Sequence, residues 1–299
     1  MPELPEAETT VKGLQKVLNR VFVYAWTDSP KLIKKPGFNQ FEKEIKNKKI
    51  KRIWRRGKNI IFELSDSYSL LVHQKLTGHL LVGNWEATLR GVPFGSRKIG
   101  NWEPLEKGAL GERVNRYIHL MFRLDNGLML ALSDLRKFAK VELWKTEELL
   151  NSGEFRKLGP EPLDRSFTFE KFKNLLINKK AKIKQILMDQ NIIAGIGNIY
   201  SDEILWRAKV HPFESGAELS EKKLRDIYKY IKPVLNQAIK LKGTSVSDYR
   251  DIKGEEGQFK KLIKVYQKEN EKCSRCGTKI KRKKMGGRSA HFCPFCQKP

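Results

Sequence analysis

The spacing of hydrophobic residues changes along the chain. The first segment predicts a helix, because its apolar residues recur at helical spacing, namely at Ala7, Val11, Leu14 and Leu18. Short apolar runs follow and predict β-strands at residues 21–26, 50–54, 60–64, 70–73, 118–124, 128–132 and 138–144. An Asp-Asn-Gly string at residues 125–127 is typical of a hairpin turn. Repeated short strands with turns predict a β-sandwich that follows an N-terminal helix.

Helical spacing returns in the second half of the chain. Residues 146–162 have the composition of a linker, and the apolar positions after them predict helices, the longest at about 220–241 with Gly243 as its stop. The predicted fold class is therefore α+β. We place the first domain at residues 1–150, with a surface insertion at 84–113, the helical domain at 151–258 and a terminal segment at 259–299.

Composition points to a polyanionic partner. The chain has 299 residues and a net charge of +26, which favours nucleic acid first and an acidic membrane surface second. Its sequence has no apolar run long enough to span a bilayer and no apolar signal region at the N-terminus. We therefore expect a cytoplasmic protein with no membrane partner.

All four cysteines lie near the C-terminus. The pairs Cys273-x-x-Cys276 and Cys293-x-x-Cys296 are separated by sixteen residues, a spacing typical of a tetrahedral zinc site. Disulfides and a redox pair are the alternatives, and we favour one structural Zn²⁺. Residues 259–299 carry thirteen Lys and Arg against two Glu, which indicates phosphate contact.

The first residues carry the candidate chemistry. If Met1 is removed, Pro2 has a secondary amine at the N-terminus and becomes a nucleophile, whereas a proline inside a chain is a tertiary amide. Attack of this amine on a sugar C1′ would give an iminium, a covalent Schiff-base intermediate. The positive end of the predicted helix favours the neutral amine, and Glu3 is the nearest candidate proton carrier. By spacing alone, the same residues are also an ordinary helix start.

The string Met-Pro-Glu-Leu-Pro-Glu-x-Glu-Thr at residues 1–9, with Ala7 at the variable position, resembles the start of the formamidopyrimidine-DNA glycosylases (Fpg, or MutM) of the Fpg/Nei family. The resemblance implies that Pro2, once Met1 is removed, is the nucleophile, with Glu3 beside it. Arg55-Arg56-Gly57-Lys58 is similar to a family hairpin whose lysine transfers a proton during strand cleavage. This similarity implies a catalytic role for Lys58.

Four further residues of the first domain occupy the places of family residues that bind DNA. Leu76 stands where the family has a methionine that fills the hole left by a flipped nucleotide, and leucine is also a wedge side chain. The string Asp-Leu-Arg-Lys-Phe-Ala at 134–139 is similar to the family's Asp-Pro-Arg-Arg-Phe-Gly. This similarity implies that Arg136 pairs with the orphaned base and that Phe138 lies beside it. Tyr117 occupies the place of a DNA-contacting histidine.

The helical domain and the terminal segment extend the resemblance. Residues 188–203 resemble the family's helix-two-turns-helix motif, in which Asn198, as cap of the next helix, would bind phosphate. Lys180 matches a DNA-contacting lysine, and residues 243–257 correspond to a loop that folds over the flipped base. Tyr266 matches a tyrosine that contacts phosphate. Arg288 matches an arginine of the zinc finger that grips the phosphate of the damaged nucleotide and assists the second elimination.

The resemblance implies a bifunctional DNA glycosylase and AP lyase of base excision repair. It would remove oxidised purines, such as 8-oxoguanine and formamidopyrimidines, from double-stranded DNA and cut the strand by β- and δ-elimination, acting as a monomer. One alternative is a glycosylase of the endonuclease VIII (Nei) group, which prefers oxidised pyrimidines. The other is a non-catalytic zinc-ribbon protein that binds damaged DNA. The sequence leaves the lesion spectrum, the preferred opposite base and the role of the insertion open.

Overall fold

The computed structural model describes residues 2–87 and 102–299, so Met1 and residues 88–101 of the predicted insertion lie outside the described residues. The chain forms two compact units. Unit 1 comprises Met1–Arg156 and Leu241–Gln258, and unit 2 comprises Lys157–Lys240 and Phe259–Pro299. The segment Leu241–Gln258, placed with the helices from sequence, belongs instead to unit 1. The reason is packing, since the Ile252 side chain is buried in the core of unit 1.

Unit 1 begins with helix α1 (Leu4–Leu14), and its other helices are α2 (Phe38–Ile45), α3 (Thr146–Asn151) and α4 (Gly153–Arg156). Its described strands, in chain order, are β1 (Phe22–Thr27), β2 (Ile33–Lys35), β3 (Ile50–Arg56), β4 (Asn59–Leu64), β5 (Tyr68–His73), β6 (His79–Gly83), β7 (Trp85–Ala87), β8 (Trp102–Pro104), β9 (Ile118–Leu124), β10 (Met129–Ser133) and β11 (Lys140–Lys145).

Two of the sheets enclose the core of unit 1. Within the described ranges, one has the order β1-β9-β10-β6 and the other the order β2-β11-β5-β4-β3. Alternating residues of facing strands, such as Phe122 of β9 and Phe62 of β4, are buried together with residues of α1. The predicted β-sandwich is therefore confirmed.

The outer face of the first sheet is covered by the ends of the predicted insertion. Strands β7 and β8 pair antiparallel, with Trp85 opposite Pro104. Trp85 and Trp102 pack with Trp26 and Met121 in a second apolar cluster. Met121 points away from the main core because neighbouring residues of a strand face opposite sides. Trp85 and Trp102 therefore anchor the described part of the insertion on this sheet.

Residues 146–162, which the sequence suggested to be a linker, begin with two short helices, α3 and α4. That prediction was wrong for residues 146–156 because two apolar side chains anchor them. Leu149 is buried against Ile61 and Leu71, and the Phe155 ring lies 6.0 Å from the Trp54 ring.

Unit 2 consists of four helices and a hairpin among its described residues: α5 (Phe169–Leu176), α6 (Ile183–Met188), α7 (Asn198–Ala208), α8 (Glu221–Lys240), β12 (Lys281–Met285) and β13 (Arg288–Phe292). Helix α7 is buried on nearly all sides, since it packs on α6, α8 and β13. Across the two described stretches of the chain, every helix is too short or too polar to cross a membrane.

Candidate catalytic and DNA-binding sites

The start of α1 is a closed, buried corner of unit 1. Pro2 and Glu3 are both buried, and Glu3 is the N-cap of the helix. The Glu3 amide donates a hydrogen bond of 2.8 Å to Oε2 of Glu6, which reaches back from the first turn. This arrangement is one half of a capping box and fixes the backbone beside Pro2. Pro2 thus directly precedes the positive end of the α1 dipole.

Residues 243–257, which we call the strap, are docked on that corner. The Thr244 amide donates to Oε1 of Glu6 at 2.7 Å, and the Tyr249 hydroxyl donates to the Glu6 carbonyl oxygen at 3.3 Å. Gly243 has a φ of +84°, and a Cβ there would lie 2.8 Å from Oε1 of Glu6. Burial, and then the charge of Glu6, raise the pKa of Tyr249 well above its usual value, so its hydroxyl stays protonated as a donor.

Lys58 lies at the β3–β4 turn, and its side chain is only 8% exposed. Arg55 holds the turn, because Nη1 donates to the Gly57 carbonyl oxygen at 2.9 Å while Nε pairs with Glu8 of α1 at 3.0 Å. Lys58 is therefore not a fully solvated residue of an exposed hairpin. Burial, and then positive charges that include Lys58, lower the pKa of His73 to about 3. The His73 ring is accordingly neutral beside this cation.

Leu76 and Phe138 project from two turns that are tied together. Leu76 lies between β5 and β6, and Phe138 lies between β10 and β11. The Thr77 hydroxyl donates to the carboxylate of the fully buried Asp134, which also accepts from the Ala139 amide at 2.7 Å. One carboxylate therefore fixes both turns. Phe138 is 50% exposed, which is unusual for a phenylalanine and leaves its ring available for contact.

Arg136 and Tyr117 lie beside the same turn. The Arg136 guanidinium stacks 4.6 Å from the Phe138 ring centre. The Tyr117 carbonyl oxygen accepts from the Asp134 amide at 2.8 Å, and the half-buried Tyr117 side chain lines a cleft of about 420 Å³ with Leu135. The structure thus brings together Leu76, Tyr117, Arg136 and Phe138.

Three of the predicted residues of unit 2 line one cavity of about 700 Å³: Asn198, Tyr266 and Arg288. Arg282 and Lys284 also line it, against a single acid, Glu269. The cavity therefore has the charge of an anion site.

The sequence predicted Asn198 as the cap of helix α7, and this prediction was wrong. Helix α7 begins at Asn198, and the N-cap is Gly197, whose backbone is extended. Glycine can take this place because the cap does not require a side chain. The Asn198 Oδ1 is buried and has no hydrogen-bond partner among the described residues. A buried polar atom of this kind indicates a place for a polar ligand or water.

Buried charges that the sequence analysis did not single out hold this cavity. Lys184, which is fully buried, donates from Nζ to Asp202 at 2.6 Å and to the Ser289 carbonyl oxygen at 2.8 Å. Asp202 also accepts from the His291 amide at 3.0 Å, so α6, α7 and β13 are joined. Glu203 accepts from the Tyr266 amide at 3.2 Å. Asp202 and Glu203 lie in the helix-two-turns-helix string, whereas Lys184 lies before it and had no signal in the sequence.

Lys180 does not line this cavity. It is exposed in the connection between α5 and α6, and only its carbonyl oxygen has a described contact, at 3.5 Å from the Ser215 hydroxyl. Its ammonium group can contact a phosphate at the surface of unit 2.

The four cysteines form a metal site. The Sγ atoms of Cys273, Cys276, Cys293 and Cys296 lie within 4.8 Å of one another. Zinc–sulfur bonds of about 2.3 Å place tetrahedral sulfurs about 3.8 Å apart, so the cluster fits one Zn²⁺. Four thiolates fill the coordination sphere, which makes this zinc structural. The Gln297 side chain, which accepts from the Cys293 amide at 2.9 Å, joins the site to the end of α7 through the Val210 carbonyl oxygen.

Comparisons with known proteins identify the family of the chain. Three family models match the chain: the formamidopyrimidine-DNA glycosylase N-terminal domain at residues 1–141, the formamidopyrimidine-DNA glycosylase H2TH domain at 158–250, and a zinc finger found in FPG and IleRS at 270–299. The formamidopyrimidine-DNA glycosylase of Pelotomaculum thermopropionicum is 36% identical over 299 residues, covering 100% of this chain and 99% of the relative. The chain belongs to the formamidopyrimidine-DNA glycosylase family.

Solved Fpg structures resemble the chain over its full length. Lactococcus lactis Fpg bound to DNA with an abasic site has a TM-score of 0.83 at 34% identity, covering 99% of this chain and 100% of that one. The wild-type Lactococcus lactis enzyme bound to DNA with N7-benzyl-Fapy-dG also has a TM-score of 0.83 at 34% identity and covers 100% of both chains.

Proposed function

We propose that the protein is a bifunctional DNA glycosylase and AP lyase that removes oxidised purines from double-stranded DNA. The observation that carries the proposal is the buried pair Pro2 and Glu3 at the positive end of α1, in a chain that Fpg relatives match from end to end. A protein that only binds DNA has no need of an N-terminal proline followed by a buried carboxylate.

Binding to DNA is assigned to both units. In unit 2, Asn198, Tyr266 and Arg288 would hold phosphates in the basic cavity, and Lys180 would contact the backbone at the surface. In unit 1, Leu76 and Phe138 would enter the duplex where the damaged nucleotide leaves it. Arg136 would then hydrogen-bond to the base that has lost its partner. Extrusion is needed because C1′ of a stacked nucleotide cannot be reached.

The chemistry begins with the neutral amine of Pro2 after removal of Met1. Its lone pair attacks C1′, the glycosidic bond breaks, and the damaged base leaves with its electron pair and a proton. The Pro2 nitrogen then loses its proton, and the C1′–O4′ bond breaks as O4′ takes up a proton, which leaves an iminium between Pro2 and the opened sugar. Glu3 would transfer protons at this step.

Strand cleavage follows from the iminium. The positive nitrogen acidifies the C2′ hydrogen, and removal of that proton expels the 3′-phosphate. A second elimination expels the 5′-phosphate. Lys58 would assist proton transfer next to the backbone, while Arg288 would hold the phosphate that leaves in the second step. Zinc stabilises the finger that carries Arg288 and takes part in no step.

The named relatives are bacterial, and the two Lactococcus lactis Fpg complexes contain N7-benzyl-Fapy-dG or an abasic site. We therefore propose bacterial chromosomal DNA as the substrate, which would place the protein in the cytoplasm with the nucleoid.

The test is a comparison of duplexes that contain 8-oxoguanine, a formamidopyrimidine, an oxidised pyrimidine or no lesion. Base release is followed by chromatography and strand scission on a denaturing gel. The proposal predicts release of both purine lesions. It also predicts strand cleavage that leaves a phosphate on each side of the gap. Faster release of the oxidised pyrimidine would indicate the substrate preference of the Nei group instead. No release from any duplex would refute the proposed glycosylase activity.

A further inference from the structure

Beside the Val82 amide, which donates to the Ile252 carbonyl oxygen at 2.8 Å, and the buried Ile252 side chain, the strap is held by the buried amide of Asn115. This residue belongs to the region after the insertion, has no exposed surface and carries no assigned role. Its Nδ2 donates to the Ala109 carbonyl oxygen at 2.6 Å and to the Gly254 carbonyl oxygen of the strap at 3.2 Å. Gly254 has a φ of +82°, and a Cβ there would lie 2.6 Å from Asn115 Nδ2, so only glycine allows this approach.

The other end of the Asn115 amide points to His79. Both carbonyl oxygens near Nδ2 are acceptors, so the amide orientation is fixed and Oδ1 must face the other way. Oδ1 lies 2.8 Å from Nε2 of the buried His79, which therefore donates to it. His79 follows the turn that carries Leu76, and its Nδ1 lies 3.2 Å from the Thr77 carbonyl oxygen.

The pair His79 and Asn115 therefore joins the turn of Leu76 to the strap by contacts inside unit 1. A second link from the same region, between Glu112 and Arg250 of the strap at 3.4 Å, involves a half-exposed carboxylate and should contribute little. The bonds that join Asn115 to Gly254 and to His79 are buried, so breaking them would leave buried polar groups without water or protein partners.

We propose that His79 and Asn115 are positioning residues that hold the strap in place over the start of α1 before DNA binds, and so set the selection of the damaged base. The part of this proposal that concerns base selection rests on the proposed function, whereas the part that concerns the position of the strap does not. A strap that is already ordered loses little further conformational entropy when the base enters the site. It therefore favours binding of a base that fits its existing surface. An abasic site has no base to be selected, so its cleavage should depend little on the pair.

The first test needs no activity. Hydrogen exchange of the full-length, zinc-loaded protein without DNA is measured for wild type and Asn115→Ala. Loss of one buried donor should raise the exchange of strap amides by about ten-fold, while the amides of α5–α8 and of the zinc finger stay protected. The matched control is Asn84→Ala, which removes a surface amide that contacts Glu106 at 3.0 Å and should leave the strap unchanged.

Variants of the partner residue separate a positioning role from a general loss of packing. His79→Gln keeps an N–H that can reach Asn115 and should restore most of the protection, whereas His79→Leu should behave like Asn115→Ala. Because both residues act through one bond, the double variant His79→Leu with Asn115→Ala should exchange no faster than Asn115→Ala alone.

The second test separates base selection from cleavage. In Asn115→Ala, we expect kcat/KM for release of 8-oxoguanine to fall by about ten-fold, and cleavage of a preformed abasic site to fall by less than about two-fold. Unchanged strap exchange, or equal losses of release and cleavage, would overturn the proposal. If wild type releases no base but Asn115→Ala still loosens the strap, the positioning role stands and the proposed function fails.

Discussion

Oε1 of Glu6 accepts a hydrogen bond of 2.7 Å from the amide of Thr244, a residue 238 positions further along the chain. The other oxygen of the same carboxylate accepts from the Glu3 amide at 2.8 Å. A single buried side chain thus fixes both the backbone beside Pro2 and the first residues of the strap.

Glu6→Gln should therefore loosen both elements. A glutamine side chain has one acceptor oxygen, so its NH₂ group would face one of the two backbone N–H groups. We expect the free energy of unfolding to fall by about 1–3 kcal/mol. Denaturant titration measures it, with Glu44→Gln as the control, because Glu44 contacts only the Gln40 side chain at the surface of α2. Equal stability of the two variants would show that Glu6 does not anchor the strap.

His73 gives stability a pH dependence of defined sign. Burial and neighbouring cations lower its pKa in the folded protein to about 3, whereas an unfolded histidine has a pKa of about 6.5. As pH falls below 6.5, the unfolded chain binds a proton that the folded protein does not, so stability is lost until the pH nears 3. The wild-type Tm should therefore fall more between pH 7.5 and pH 5 than the Tm of His73→Gln. Equal decreases in the Tm of the two proteins would contradict a His73 ring that stays neutral in the folded protein.

The zinc site predicts that Cys276→Ser loses the metal and unfolds the terminal hairpin. Metal binding supplies much of the folding energy of such a small element. Metal analysis should give about one zinc per wild-type chain and none in the variant, and DNA affinity should fall while unit 1 and helices α5–α8 of unit 2 stay folded. Lys281→Ala, in the exposed strand β12, should keep its zinc. Zinc-free wild-type protein with full activity would refute the assignment.

Lys180 and Arg288 should differ in what they recognise. Lys180→Ala removes a contact with the backbone, so it should weaken damaged and intact duplex alike and flatten the plot of log affinity against log salt by about 1. Arg288→Ala should weaken lesion-containing DNA more, because its expected partner is the phosphate of the flipped nucleotide. Binding of both duplexes across a salt series separates the two effects. If both variants lose the same affinity for damaged and for intact duplex, Arg288 is part of a general basic surface.

Local patterns predicted much of the fold. Seven of the nine described strands in the two sandwich sheets were predicted from short apolar runs, because alternate residues of β9 such as Leu120 and Phe122 face one core, whereas β2 and β6 were missed. Helix α2 was missed, although Phe38, Phe41 and Ile45 have helical spacing. Helices α3 and α4 were missed because Leu149 and Phe155 are held by residues distant in sequence, which no local pattern records.

The candidate sites were predictable as motifs but not as networks. The cysteine spacing predicts the zinc site, and the resemblance of the first residues to the start of the family implies their chemistry. The pairing of Lys184 with Asp202 and of Asn115 with Gly254 joins residues 18 and 139 positions apart. Nothing in their local sequence distinguishes them from surface polar residues, so their role appears only when burial and geometry are known.

The central claim is that the amine of Pro2 forms the covalent intermediate. Borohydride reduction during the reaction with a duplex containing 8-oxoguanine, followed by peptide mass mapping, tests it most directly. We predict one reduced adduct on the N-terminal peptide of the processed protein, and none on protein that retains Met1. Pro2→Gly should still give some adduct, because a primary amine remains. Full trapping with Met1 retained, or an adduct on Lys58 instead, would contradict the claim.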